Sequence, residues 1–133
     1  LRGAVVGLDQ SRAMIAIAQS RLPEGLAMTG DALDLPFANR AFDRVLTAHF
    51  YGHLPPDERT AFLAEARRVA PELIVVDSAA RRGADNGWQE RTLNDGSEHR
   101  VLKRYLTAEQ LASELGGEPL MDGDWFVAAR TIR

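Results

Sequence analysis

Apolar residues along this chain fall into two alternating patterns, short unbroken runs and longer stretches at helical spacing. Ala4 to Leu8 is an unbroken run, too short for a helix and closed by Asp9, which predicts a buried strand. Behind it Ser11 can cap a helix in which Met14, Ile17, Ala18 and Leu22 share one face until Pro23 and Gly25 stop it. Leu26 to Thr29 predicts a short edge strand. Residues 30–42 form a loop rich in turn residues, with Leu33, Leu35, Phe37 and Phe42 expected to pin it to the body. Asp43 to His49 predicts the next strand. Pro55 and Pro56 open a second helix whose Phe62, Leu63, Ala66 and Val69 make one apolar face, and Pro71 ends it. Glu72 to Asp77 repeats the opening pattern of an apolar run that ends in an acid.

Two such strands, each tied to a helix, predict parallel β/α units and an α/β fold. A third helix is marked by Thr107 and Gln110 at capping-box spacing, by Leu111 and Leu115 facing inward, and by Gly116 at its end. At the chain's end, apolar runs flank Asp122-Gly123-Asp124 and predict a β-hairpin. Residues 78–106 show no strong period and read as a long excursion, a lid or substrate-side segment with Trp88 and Tyr105 as aromatic handles.

With 133 residues, the chain has the size of one domain, 1–133. Apolar residues at 45% and charged residues at 26% are those of a globular protein, and no run approaches the length of a membrane span. The expected setting is cytoplasmic. The absence of cysteine excludes disulfides, thiolate metal sites and cysteine nucleophiles. A net charge of −3 provides no basic footprint for nucleic acid.

Beyond the carboxyl ends of parallel strands lies the usual ligand crevice, and an acid at such a strand tip accepts hydrogen bonds from ribose hydroxyls. Asp9 occupies such a tip; its alternative role is to cap the following helix. The segments "VVGLDQSRAM", "GDALDLPFANRAFDRV", "ELIVVD" and the closing "WFVAAR" together resemble the class I S-adenosylmethionine-dependent methyltransferases of the small-molecule type. The resemblance implies a Rossmann-like three-layer sandwich with strand order 3-2-1-4-5-7-6, the last strand antiparallel. It implies that Asp9 holds the ribose of S-adenosylmethionine, with Gln10 and Met14 beside ribose and adenine. Asp31 would accept from the exocyclic amine of adenine, Ala32 would contact the ring, and Ala48 and His49 would pass the methionine part. The reaction implied is methyl transfer to a small-molecule acceptor.

These residues lack the family's first strand and the glycine-rich turn "DxGxGxG" that follows it. That strand is the centre of the sheet, so the expectation is an unpaired seam between the strands ending at Asp9 and His49. The seam would be completed by an N-terminal segment of a longer gene product or by a second copy in a homodimer, unless the fold closes differently. Candidate general bases are His49, Tyr51, His53 and His99, and candidate acceptor contacts are Tyr51, Trp88 and Tyr105. His49 and His53 have the i, i+4 spacing of zinc ligands, but Phe50 stands where a zincin needs glutamate and no third ligand follows, so no metal is expected. Two other classes fit parts of the pattern. A nicotinamide-dependent dehydrogenase would use Asp9 equally well, although "GDALDLPF" and the closing hairpin weigh against it. A cofactor-free interaction module would recruit a partner through the open seam.

Overall fold

A computed structural model describes residues 3–22 and 25–132, with Ile132 placed by its backbone alone. Strand β1 (Val6–Asp9) leads into helix α1 (Arg12–Arg21), where the Ser11 hydroxyl accepts the Met14 N–H at 3.3 Å as an N-cap. Leu22 is the C-cap; Pro23, the expected stop, lies outside the described residues. Strand β2 (Leu26–Thr29) pairs parallel with β1, Val6 opposite Leu26. After a loop come β3 (Arg44–Ala48), a 3₁₀ turn at Tyr51–His53, α2 (Pro56–Val69) and β4 (Glu72–Ser78), which pairs parallel with β3. The chain closes with α3 (Ala108–Leu115) and the antiparallel hairpin that Asp122-Gly123 marks. Its strands are Glu118–Asp122 and Phe126–Ile132. Thr107 and Gln110 complete the expected capping box, and Gly116 takes φ 64° as the left-handed C-cap.

Residues 78–106 hold a regular element where a loop was expected. Strands β5 (Gly87–Thr92) and β6 (Glu98–Lys103) form an antiparallel hairpin of their own, so the closing strands Glu118–Asp122 and Phe126–Ile132 are β7 and β8. An Asp95-Gly96 turn connects β5 and β6, as Asp122-Gly123 does in the closing hairpin. The expected alternation is missing because both faces of this ribbon are largely exposed and carry polar side chains.

Strand order is β3-β4-β8-β7 in one sheet and β1-β2 in another, with β8 antiparallel to β4. This is the expected order with its central position open: among the described residues no ladder joins β1 to β3. Helices α2 and α3 cover one face of the larger sheet. Leu73, Val75 and Asp77 on β4 and Val127 and Ala129 on β8 are buried against Tyr51, Phe62, Ala66, Leu111 and Leu115. The intervening residues Ile74 and Val76 are half-buried and Leu46 is 52% exposed, so burial alternates with the pleat although the runs are continuously apolar. Helix α1 packs on β1 and β2, and its apolar stripe stays largely open, with Met14 54% and Ile17 46% exposed.

Candidate functional site

The parallel strands end along one edge, and five of the residues singled out in the sequence meet there. Between β1 and β3 lies a cavity of about 610 Å³, within the usual range for small-ligand sites. Asp9, Gln10, Asp31, Ala32 and Ala48 line it, with apolar walls from Val6, Leu8 and Val45 on the strands and Phe50, Phe62 and Val69 beyond. Met14 and His49 do not line it.

Asp9 stands at the tip of β1 with its two carboxylate oxygens in different settings. Its Oδ1 accepts the Ser11 N–H at 2.8 Å and helps start α1, while its side chain is exposed at the cavity edge. Asp31 is arranged in the same way, Oδ1 accepting the Leu33 N–H at 2.8 Å in an Asx turn. In each carboxylate the other oxygen has no protein donor among the described residues. Ala32 is half-buried against the core.

His49 follows β3 with φ 55°, a left-handed conformation that costs a side-chain-bearing residue about 1 kcal/mol or more and concentrates at functional sites. Its N–H donates to the Val76 carbonyl at 3.0 Å, so the ladder with β4 holds it there. Its ring meets Phe126 edge to face, with centroids 5.1 Å apart. Phe126, which sequence reasoning did not single out, comes from β8, and only the antiparallel return of that strand brings it here. His53 is half-buried, its Nδ1 2.7 Å from the Leu102 carbonyl at the base of the β5–β6 hairpin. Among the described residues no three metal-ligating side chains cluster.

Tyr51 was a candidate base and acceptor contact, and the structure places it in the core instead. The ring is buried against Phe62, and the hydroxyl donates to Glu114 Oε2 at 2.9 Å. Burial, then the hydrogen bond to Glu114 and its negative charge, push the phenol well above its ordinary value, so this hydroxyl stays protonated and belongs to the core. Burial works to raise the Glu114 carboxyl too, but donors from Arg104 and Tyr51 outweigh it and hold the group below the ordinary glutamate value of 4.5. Because the folded value is lowered, Glu114 contributes stability that is fully present above pH 4.5 and is lost as pH falls below it. Glu114→Gln is expected to flatten the acid limb of stability there, measured as the thermal midpoint against pH.

Trp88 stands at the base of the β5–β6 hairpin, 57% exposed, with the Arg100 guanidinium 5.5 Å above its ring. Tyr105 is half-buried beside it in the chain's return, with Arg81 and Lys103 over its ring at 5.3 and 5.4 Å. His99 pairs with Arg91 toward the hairpin tip, its Nε2 3.0 Å from the Ser97 hydroxyl. Four residues of strand separate Arg91 from Gly87 at the hairpin base. At about 3.3 Å per residue this puts His99 roughly 13 Å out along the ribbon.

Comparison with known proteins agrees with this fold. The profile of the methyltransferase domain family matches residues 1–72. A demethylmenaquinone methyltransferase of Thermotoga maritima is 42% identical over 65 residues, which are 49% of this chain and 28% of that protein. An ajmaline N-methyltransferase of Rauvolfia serpentina is 35% identical over 81 residues, 61% of this chain and 27% of that one. The matches thus span little more than a quarter of these relatives. The solved structure of a DhpI-SAM-HEP complex superposes with a TM-score of 0.79 at 26% identity, covering 98% of this chain and 68% of the other.

Proposed function

The chain belongs to the methyltransferase domain family, and on that footing we propose that it serves S-adenosylmethionine-dependent methyl transfer to a small-molecule acceptor. The observation that carries the reading is the convergence of Asp9, Gln10, Asp31, Ala32 and Ala48 on the carboxyl end of one cavity that runs the length of β1 and β3. The residues fit the cofactor's chemistry. Among the described residues Asp9 and Asp31 each keep one carboxylate oxygen without a protein donor, and ribose hydroxyls and the adenine amine are donors. Asp9 takes the ribose and Asp31 the exocyclic amine; Ala32 lies against the ring, with Gln10 and Met14 beside it. Ala48 and His49 border the methionine part.

When bound, the cofactor supplies a methyl group on a sulfonium leaving group, so the protein's contribution is alignment and exclusion of water. His49, at the strand end next to the cavity residue Ala48, is the candidate base for an acceptor that must lose a proton, with His53 behind it. Trp88 and Tyr105 are the acceptor contacts, and His99, far out on the hairpin, takes no part. The open position between β1 and β3 accepts one more parallel strand, supplied by in-frame residues preceding Leu1 or by a second copy of the chain.

Isothermal titration with S-adenosylhomocysteine tests the reading on the protein as encoded, including any in-frame residues before Leu1. Asp9→Ala is expected to weaken binding roughly 10- to 100-fold, the worth of one or two charge-assisted hydrogen bonds. Unchanged affinity would remove Asp9 from the site.

A further inference from the structure

The loop from Asp31 to Phe42 forms one wall of the cavity, through Asp31, Leu33, Leu35, Phe37 and Phe42, and has little regular structure of its own. It is held from outside by the last turns of α2, with one side chain making most of the bonds. Every N–H of the Arg68 guanidinium is used: Nε donates to Glu65 Oε1 at 2.8 Å, Nη1 to the Phe37 carbonyl at 2.6 Å and to Asn39 Oδ1 at 3.1 Å. Nη2 donates to the Leu35 carbonyl at 2.9 Å and to Glu65 Oε2 at 2.8 Å. Glu65 Oε2 in turn accepts the Leu35 N–H at 2.8 Å. The Arg68 carbonyl accepts the N–H of Arg40 at 2.9 Å, and Arg40 has φ 56°, a conformation a side-chain-bearing residue keeps only where its surroundings impose it. Phe42 N–H donates to the Val69 carbonyl at 3.0 Å, and the Phe37 and Phe42 rings close edge to face at 4.8 Å.

We propose that Arg68, oriented by Glu65, is a positioning residue for purine recognition: by clamping residues 35–39 it fixes the Asx turn that aims Asp31 at the exocyclic amine. This rests on the proposed function, since it takes Asp31 as the adenine partner. A planar fork with all its donors engaged has no equivalent in lysine, whose single ammonium cannot reach Leu35, Phe37, Asn39 and Glu65 together. The consequence is selective. Loosening the clamp removes discrimination at the purine 6-position, where adenine presents a donor and hypoxanthine an acceptor.

The test compares the dissociation constants of S-adenosylhomocysteine and S-inosylhomocysteine. The wild-type protein is expected to prefer the adenosyl compound about tenfold or more, and Arg68→Lys to bring the two within roughly twofold of each other. Glu65→Gln, milder because it keeps an acceptor for Leu35 N–H, is expected to give an intermediate ratio, and it serves where Arg68→Lys does not fold. Asp31→Asn, with the clamp intact, is expected to lose the preference as well. A purely structural role for Arg68 would lower the thermal midpoint and leave the ratio unchanged, and that result in either clamp variant would overturn the proposal. Failure of the wild-type protein to bind S-adenosylhomocysteine would count against the proposed function, a separate outcome.

Discussion

Asp77→Ala is expected to destabilise the fold by about 3–5 kcal/mol, the cost of breaking a buried ion pair from one side. The Asp77 carboxylate is fully buried at the end of β4. Its Oδ1 faces the Lys103 ammonium at 3.3 Å and accepts the Ser78 N–H at 2.8 Å, while Oδ2 accepts the Gly52 N–H at 2.7 Å. Removing it strands a lysine whose side chain is only 7% exposed and orphans two backbone donors. The double change Asp77→Ala with Lys103→Met is expected to recover part of the loss, because the uncompensated charge goes with it. Urea unfolding of the two variants measures both effects. Equal stability of the single and double variants would show that the stranded charge is not the cause. The same carboxylate ties together β4, β6 and the 3₁₀ turn after His49.

Gly117→Ala is expected to cost about 3 kcal/mol or more, at the upper end of what forced overpacking does. A Cβ at this position would overlap the Arg130 carbonyl oxygen, lie 2.7 Å from its carbon and 3.0 Å from the Thr131 Cα. All three are backbone atoms of β8, so no rotamer relieves the clash. Strand β8 must move, and with it Phe126 at the strand's other end, against which the His49 ring rests. Gly116 beside it differs in kind: its glycine is required by φ 64°, and a Cβ there meets nothing nearer than Arg67 Nη2 at 3.9 Å. Urea unfolding of Gly117→Ala gives the magnitude. A cost near the few tenths of an ordinary surface change would contradict the close approach.

The helix end shows what could be read from the residues and what could not. Gly116 announces itself as a C-cap because local backbone conformation is written in local residue type, whereas Gly117 answers to a strand that pairs from the far end of the chain. The same division runs through the fold. Strand and helix positions follow from period and caps, and the strand order followed from the family resemblance. Hairpin β5–β6 escaped notice because an exposed ribbon needs no apolar alternation, although Asp95-Gly96 carried the same turn chemistry that revealed Asp122-Gly123. Tyr51 looked like a base or acceptor contact by its place after a strand end, and only Glu114 on a distant helix shows that its hydroxyl belongs to the core. Of the site, Asp9 and Asp31 were legible as acids at a strand tip and in a turn. Arg68 and Glu65 were not, since their partners are main-chain carbonyls and amides of a loop, and such acceptors leave no mark in residue type.

The carboxyl end of the space between β1 and β3, at Asp9, Asp31 and Ala48, is proposed as the cofactor site. Amide chemical-shift mapping during titration with S-adenosylhomocysteine tests it directly, on the protein as encoded with any in-frame residues before Leu1. The predicted result is saturable shifts at Asp9, Gln10, Asp31, Ala32 and Ala48, with Asp9→Ala moving the midpoint at the other four together to higher ligand concentration. Shifts confined to the β5–β6 hairpin or to Arg81 and Trp125, or no saturable shift at all, would contradict it.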